Sequence, residues 1–522
     1  MKKLHVLIIA IILLSSCEKD FLDRSPLDQL SQTSFWKTPA DALAAVNGCY
    51  AGWEDGYNVF YTDCATDNAY NPFPWEGFTV LGSGLQTPTD FGTSRYSFTT
   101  VRKCNDFLEN IDKVVMDENL RKRYKAEVRF IRAYQYFIMT QYYGAVPLVT
   151  KTLAFQDANV PRDPKTTVVN FILNELSQIA PDLPVSYSGS DIGRITSGAA
   201  YGLKARLELF EGKYADCITS CQSVMGLGYQ LYPNYRDLFR EMNANNQEVI
   251  LDVQYKVDDS PNWIVGVLAP GSLGGWCSIN PTQKLVDAYE MNNGKTINDP
   301  TSGYNPDDPY KNRDPRLDAT IIYPGSYFGG IYYNPINESS PDYYAPYGGS
   351  KTGYLMRKYE ENLSDFADVW NTGLNTIVMR YAEILLTYAE AKIESNQIDG
   401  TVYNAINDVR LRAGMPVVDQ IVYNDQTTLR ELVRRERQVE LAMEGLRWFD
   451  IARWRIAEVV MSGPLYGSRL GDVDPDNGAL TLTTERIFVE DRVFNPAKNY
   501  LWPIPQSAID VSKGVLTQNP NY

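Results

Sequence analysis

Histidine is nearly absent from this chain: one of its 522 residues is histidine, His5. It falls in an N-terminal segment that reads as a removable signal, so the mature chain would contain none. Ser-His-Asp and Cys-His nucleophile systems are thereby excluded, as are zinc or iron sites built on imidazole. Basic residues are also in deficit: 49 Lys and Arg stand against 64 Asp and Glu, a net charge of −15. A nucleic-acid partner needs a basic face, and no run of the sequence suggests one. No stretch after the N-terminal segment reaches a membrane-spanning length. What the chain has in excess is tyrosine; 36 Tyr with 9 Trp bring the aromatic fraction to 12%. A hydrophobic fraction of 44% with 36 Gly and 29 Pro is the balance of a globular chain rich in loops.

The N-terminus reads as an address. Met1-Lys2-Lys3 is a basic n-region, residues 4–14 are apolar apart from His5, and Leu14-Ser15-Ser16-Cys17 places small residues before a cysteine. That order predicts a lipoprotein signal peptide over residues 1–16, lipidation of Cys17, and a body of residues 17–522 held to the membrane by a lipid anchor. Loss of Lys2 and Lys3 leaves 47 basic and 64 acidic residues, a net charge of −17. Six further cysteines remain (Cys49, Cys64, Cys104, Cys217, Cys221 and Cys277). An even number in an exported chain is compatible with disulfides, yet a chain of this size needs no staples; both readings stay open.

Helical signals dominate. Thr38-Pro39 caps a helix over 40–53, with Pro at its first position. Residues 119–143 carry an apolar face of Phe130, Ile131, Tyr134, Phe137 and Ile138, stopped by Gly144 and Pro147. Further helices are predicted over 166–179, 196–210, 215–225, 377–393, 401–413, 427–443 and 446–459. The pair 196–210 and 215–225, joined by Gly212-Lys213-Tyr214, resembles a tetratricopeptide unit. Short strands are expected at 249–255 and 354–359. Long irregular stretches separate these elements, over 56–96, 255–281 and 292–365, and loops of that length usually carry function. The fold class predicted is mainly α: helical pairs as scaffold, long irregular loops and a few short strands.

The C-terminal text is the most specific. Arg434-Arg435-Glu436-Arg437 leads into Glu440-Leu441-Ala442-Met443-Glu444-Gly445-Leu446-Arg447-Trp448-Phe449-Asp450-Ile451-Ala452-Arg453-Trp454. Later come Asn499-Tyr500-Leu501-Trp502-Pro503-Ile504-Pro505 and Leu516-Thr517-Gln518-Asn519-Pro520-Asn521-Tyr522. These stretches closely resemble the SusD/RagB family, surface lipoproteins of nutrient-uptake systems in the Bacteroidetes. Phe21-Leu22-Asp23, the run Arg129 to Tyr134, the run Tyr142 to Leu148, and Arg313-Asp314-Pro315-Arg316-Leu317 follow in family order. The resemblance implies one SusD-like domain over residues 17–522, a glycan-binding role at the outer-membrane surface, and a TonB-dependent (SusC-like) barrel as partner. The motif itself reads as structure: its charges are spaced for ion pairs on a helix, and Trp448, Phe449 and Trp454 read as core anchors.

A glycan site joins aromatic rings, which match the apolar C–H faces of sugars, to amides and carboxylates, which match hydroxyls. Three stretches fit. Residues 63–78 hold Asp67, Asn68, Asn71 and Trp75; residues 260–276 hold Trp263 and Trp276 among glycines; residues 321–347 hold seven Tyr and one Phe, including Tyr327 and Tyr332. No catalytic residue, metal or cofactor is assigned. A hydrolase would need a pair of carboxylates at a set separation, and no acid motif stands out. Asp299, Asp307, Asp308, Asp314 and Asp318 share one irregular stretch and have the oxygen ligands calcium takes, but their spacing is not that of an EF-hand, and a solvated acidic loop is the better reading. The alternative function is a transporter lid or interaction module handling peptide or another non-glycan nutrient, since helical pairs also present protein-binding grooves.

Overall fold

The computed structural model describes residues 35–90, 95–359 and 363–522; the predicted signal and Cys17 lie outside these. The first helix, α1 (Pro39–Tyr50), starts where the sequence places it: Thr38 and Asp41 form a reciprocal capping box. Then come α2 (Thr99–Asn110), α3 (Glu118–Tyr143), α4 (Lys165–Ile179), α5 (Ser197–Phe210) and α6 (Tyr214–Met225). Asp117 caps α3, and Gly144 ends it at φ +75°, a conformation that favours glycine. The later helices are α7 (Tyr381–Glu394), α8 (Gly400–Arg412), α9 (Gln426–Glu440) and α10 (Arg447–Arg453). Each helix from α2 to α7 packs on the next, and α7 also packs on α8 and α9. This is a mainly helical, tetratricopeptide-like frame.

Residues 226–380 are inserted between α6 and α7, although those two helices touch. The insertion is pinned at its root by β1 (Val249–Val253) running antiparallel to β2 (Thr376–Arg380). Here the sequence reading is corrected: residues 377–380 are strand, and the helix begins at Tyr381. The β-branched run Thr376-Ile377-Val378 suits a buried strand, and all five residues of β2 are buried. Residues 446–459 are likewise two short helices, α10 and Ala457–Val460, broken where Arg455 takes φ +55°. A long antiparallel hairpin, β3 (Gly463–Val473) and β4 (Leu480–Arg492), was not expected.

One apolar cluster runs from Trp36 to Ile504 and takes residues from every helix named above. Six charged residues of the C-terminal motif, Glu436, Arg437, Glu440, Glu444, Arg447 and Asp450, are buried beside it and are paired, as burial of charge requires. Glu440 receives Arg316 Nη1 at 2.9 Å and Arg380 Nη1 at 2.6 Å, and also pairs with Arg412. Burial alone would raise its carboxyl; Arg412, Arg380 and Arg316 overcome that and hold it well below the usual carboxylate range. Arg380 also reaches Glu248 and Glu444. Trp448 and Phe449 are buried, and half-buried Trp454 donates its indole N–H to Glu390 at 2.6 Å. The six body cysteines are all buried and no disulfide joins them. No described helix is long and apolar enough to cross a membrane.

Candidate functional site

A cleft of about 630 Å³ opens between two parts of the chain distant in sequence. One wall is the end of α1 and the turn after it: Asn47, Tyr50, Trp53, Glu54, Asp55 and Tyr57. The other comes from the insertion: Asp252, Gln254, Tyr255, Asn262, Trp263 and Trp276. Trp263 is 58% exposed and Trp276 48%, unusual for so large an apolar side chain.

Both tryptophans are mounted on fixed supports. The side chain of buried Asn262 donates to Leu374 O at 2.7 Å and accepts the Ile264 amide at 3.0 Å, which sets the backbone on either side of Trp263. The amide of Trp276 donates to Gly266 O at 2.9 Å. Its ring leans on Trp370, centroids 4.6 Å apart at 49°. Gly266 makes room for that underlying ring: a Cβ there would stand 2.4 Å from Trp370. At the floor, the Tyr255 hydroxyl accepts the Gly56 amide at 2.8 Å and donates to Asp55 at 3.2 Å. Glu54 is held by a bidentate pair with Arg95 at 2.7 and 2.8 Å and by the Tyr134 hydroxyl. Burial raises the Asp252 carboxyl to about 6, against the hydrogen bonds from Gln254 and Asn375.

A second aromatic patch is tied to the Trp276 loop. Trp75, 64% exposed, stacks on Phe73 at 5.0 Å, and Phe73 lies 5.4 Å from exposed Tyr347. Buried Glu76, next in sequence to Trp75, accepts from Ser278 Oγ at 2.9 Å, two residues after Trp276. The Gly271 amide donates to Gly348 O, tying the Trp276 loop to the Tyr347 loop. Tyr327 and Tyr332 sit elsewhere, face to edge at 5.2 Å across a two-residue hairpin, and do not line the cleft. Their hairpin shares a small apolar underlayer with the Trp276 loop, made of Leu273, Cys277, Phe328 and Tyr333 with Ile322 and Leu355.

A family model described as "SusD family" matches residues 237–522, and one described as "Starch-binding associating with outer membrane" matches residues 20–209. The chain belongs to the SusD family. A SusD-like protein of Bacteroides ovatus is 27% identical over 483 residues, covering 87% of this chain and 82% of the relative. The starch-binding protein SusD of Bacteroides thetaiotaomicron is 26% identical over 388 residues, 68% of each chain. Among solved structures, a SusD-like carbohydrate-binding protein of Bacteroides fragilis is 31% identical, with a TM-score of 0.82 over 92% of this chain and 99% of that one.

Against this SusD-family frame, three of the polar residues predicted to meet ligand are corrected. Asp67 is buried and grips Arg447 at 2.8 and 2.7 Å. Asn68 donates to Asp63 and accepts from Gln438, and Asn71 donates to Glu76 and to Ser278 O. Their segment is pulled inward by pairing of Ala69–Tyr70 with Asn280–Pro281. Of the five aspartates weighed for calcium, four pair with cations, Asp314 with Arg316, Asp318 with Arg357, Asp307 with Arg469 and Asp308 with Lys311, and Asp299 accepts the Thr301 amide and hydroxyl. Among the described residues no three metal-ligating side chains come together. Sequence reasoning missed the wall opposite the tryptophans, Asn47, Asp55 and Tyr57, and their neighbours Gln254 and Tyr255 on the tryptophans' own wall. A single sequence holds no sign that residues 47–57 face residues 252–276; the one local signal was the aromatic density of Trp53, Tyr57, Phe60 and Tyr61.

Proposed function

We propose that this chain is a cell-surface glycan-binding lipoprotein, anchored through Cys17 in the outer membrane. It captures an oligosaccharide in the cleft and delivers it to a TonB-dependent barrel. The observation that carries this reading is the pair Trp263 and Trp276: two exposed, rigidly mounted indoles on one cleft whose other wall offers amide, carboxylate and phenol groups. Indole faces take the C–H faces of sugar rings, and the polar wall takes hydroxyls. The binding roles in the names of the B. thetaiotaomicron and B. fragilis proteins support it, as does the outer-membrane association in the description of the N-terminal family match. The function is reversible binding by one SusD-like domain over residues 17–522, with no covalent step and no cofactor.

The test is a glycan array followed by affinity electrophoresis on protein lacking residues 1–16. Binding is expected, and replacement of Trp263 and Trp276 together by Ala should abolish it. If replacing Trp75, Trp263 and Trp276 together leaves binding to the best glycan unchanged, the aromatic platform is wrong. Binding of peptides with no sugar bound would favour the lid reading instead.

A further inference from the structure

The charges around the cleft bear on which carbohydrates enter it, if carbohydrate is what it binds. Three carboxylates line it, Glu54, Asp55 and Asp252, and among the described residues no Lys or Arg does. Buried Glu54 is neutralised by half-buried Arg95. The other two have no cation among the described residues. Asp55 is exposed; it caps the Tyr57 amide at 3.1 Å and accepts the Tyr255 hydroxyl. Asp252 is buried and receives only neutral amides, Gln254 Nε2 at 2.5 Å and Asn375 Nδ2 at 2.9 Å. It lines a second recess of about 310 Å³ as well, so its charge faces both spaces.

The cations near the rim are already committed. Arg194 pairs with Glu127 at 3.0 Å and Asp191 at 2.8 Å, and Lys256 pairs with Asp259. No cation among the described residues therefore offsets these two carboxylates within the cleft, whose shape focuses their field on what enters. A carboxylate only accepts hydrogen bonds. It matches the hydroxyls of a neutral sugar and repels a sugar acid or sulfate.

We propose that the cleft admits glycans without negative charge and turns away uronate- and sulfate-bearing ones, with Asp55 and Asp252 as the discriminating groups. Specificity here comes as much from the repulsive element as from the attractive one.

The experiment uses protein lacking residues 1–16 and calorimetry on matched pairs. Neutral xylo-, gluco- and galacto-oligosaccharides are compared with counterparts of the same backbone carrying glucuronate or sulfate. The acidic member of the best pair should bind about tenfold more weakly at low salt. The gap should narrow as sodium chloride is raised to about 0.5 M. In the double variant Asp55→Asn, Asp252→Asn, which keeps the side-chain shapes and a capping oxygen, the acidic-to-neutral affinity ratio should rise about tenfold. Equal or tighter binding of the acidic member by the natural protein overturns the inference alone, as does a ratio unmoved by the variant. Failure of every glycan, neutral and acidic, overturns the carbohydrate reading and this inference with it.

Discussion

Asp67 and Arg447 close a bidentate ion pair inside the protein, joining positions 380 residues apart in sequence. Removing one partner of a buried pair leaves the other charge desolvated and unpaired, at a cost of about 3–5 kcal/mol. Asp67→Ala should therefore lower the thermal midpoint by many degrees, while Asp67→Asn, which keeps one hydrogen bond, should lower it less. Calorimetric melting distinguishes this from a ligand role, because a ligand residue on a surface would leave the midpoint nearly unchanged.

The tryptophans should divide into two classes. Trp263→Ala removes an exposed ring and should change stability by no more than about 0.5 kcal/mol, and Trp276→Ala, which also loses its contact with Trp370, by about 0.5–1.5 kcal/mol. Each should weaken glycan binding roughly threefold to tenfold, the worth of one aromatic contact. Trp448→Ala empties a buried site and should cost about 3–5 kcal/mol of stability. Titration calorimetry and thermal melts on the same three variants separate the two effects.

Stability should depend on pH with two opposed slopes. Burial raises the carboxyls of Glu436, Glu440 and Asp450, but their arginine partners overcome it and depress all three. Groups depressed in the folded state stabilise fully above their unfolded values, about 4.5 for Glu, and lose that contribution as pH falls through the folded values. Asp63 and Asp252 run the other way: burial lifts them to about 7 and about 6, so protonation between those values and the ordinary 3.8 favours the folded form. The thermal midpoint should rise modestly from about pH 8 to 5 and drop below about 4.5. Asp63→Asn should flatten the rise; a rise of unchanged size would refute the assignment.

The thiols should be silent. All six body cysteines are buried without disulfides, and burial pushes the Cys64, Cys104 and Cys221 thiols well above their usual value. A thiol reagent should label none of them in folded protein lacking residues 1–17, and all six after denaturation. Dithiothreitol should leave the melting curve where it was.

Much of the frame was legible because local signals and packing agree. Thr38, Thr196 and Gly144 end helices by the chemistry that predicts them. What was illegible depended on partners distant in sequence. Residues 377–380 looked helical because they abut a helix; only pairing with Val249–Val253 makes them strand. The β3–β4 hairpin was hidden by Gly463, Gly467 and Gly471, which weaken a strand pattern. Gly467 is there because a Cβ would stand 2.1 Å from Thr352 O. In the candidate site, Trp263 and Trp276 were legible as large rings in a glycine-rich loop. Asp67, Asn68 and Asn71 carry the same side chains a sugar site would use, and only the inward pull of their segment shows where they point.

The buried charge pairs also set an order of events. Synthesis runs from the N-terminus, so Asp67 leaves the ribosome 380 residues ahead of Arg447, and Arg380 precedes Glu440 by 60 and Glu444 by 64. Until those partners arrive, the earlier charges keep their hydration and the interior they belong to cannot seal. Contacts so distant along the chain form late. The segment from Glu440 to Arg447, made late, is thus the one that locks the body, and a nascent chain halted before Glu440 should be digested by protease at sites that the finished protein hides.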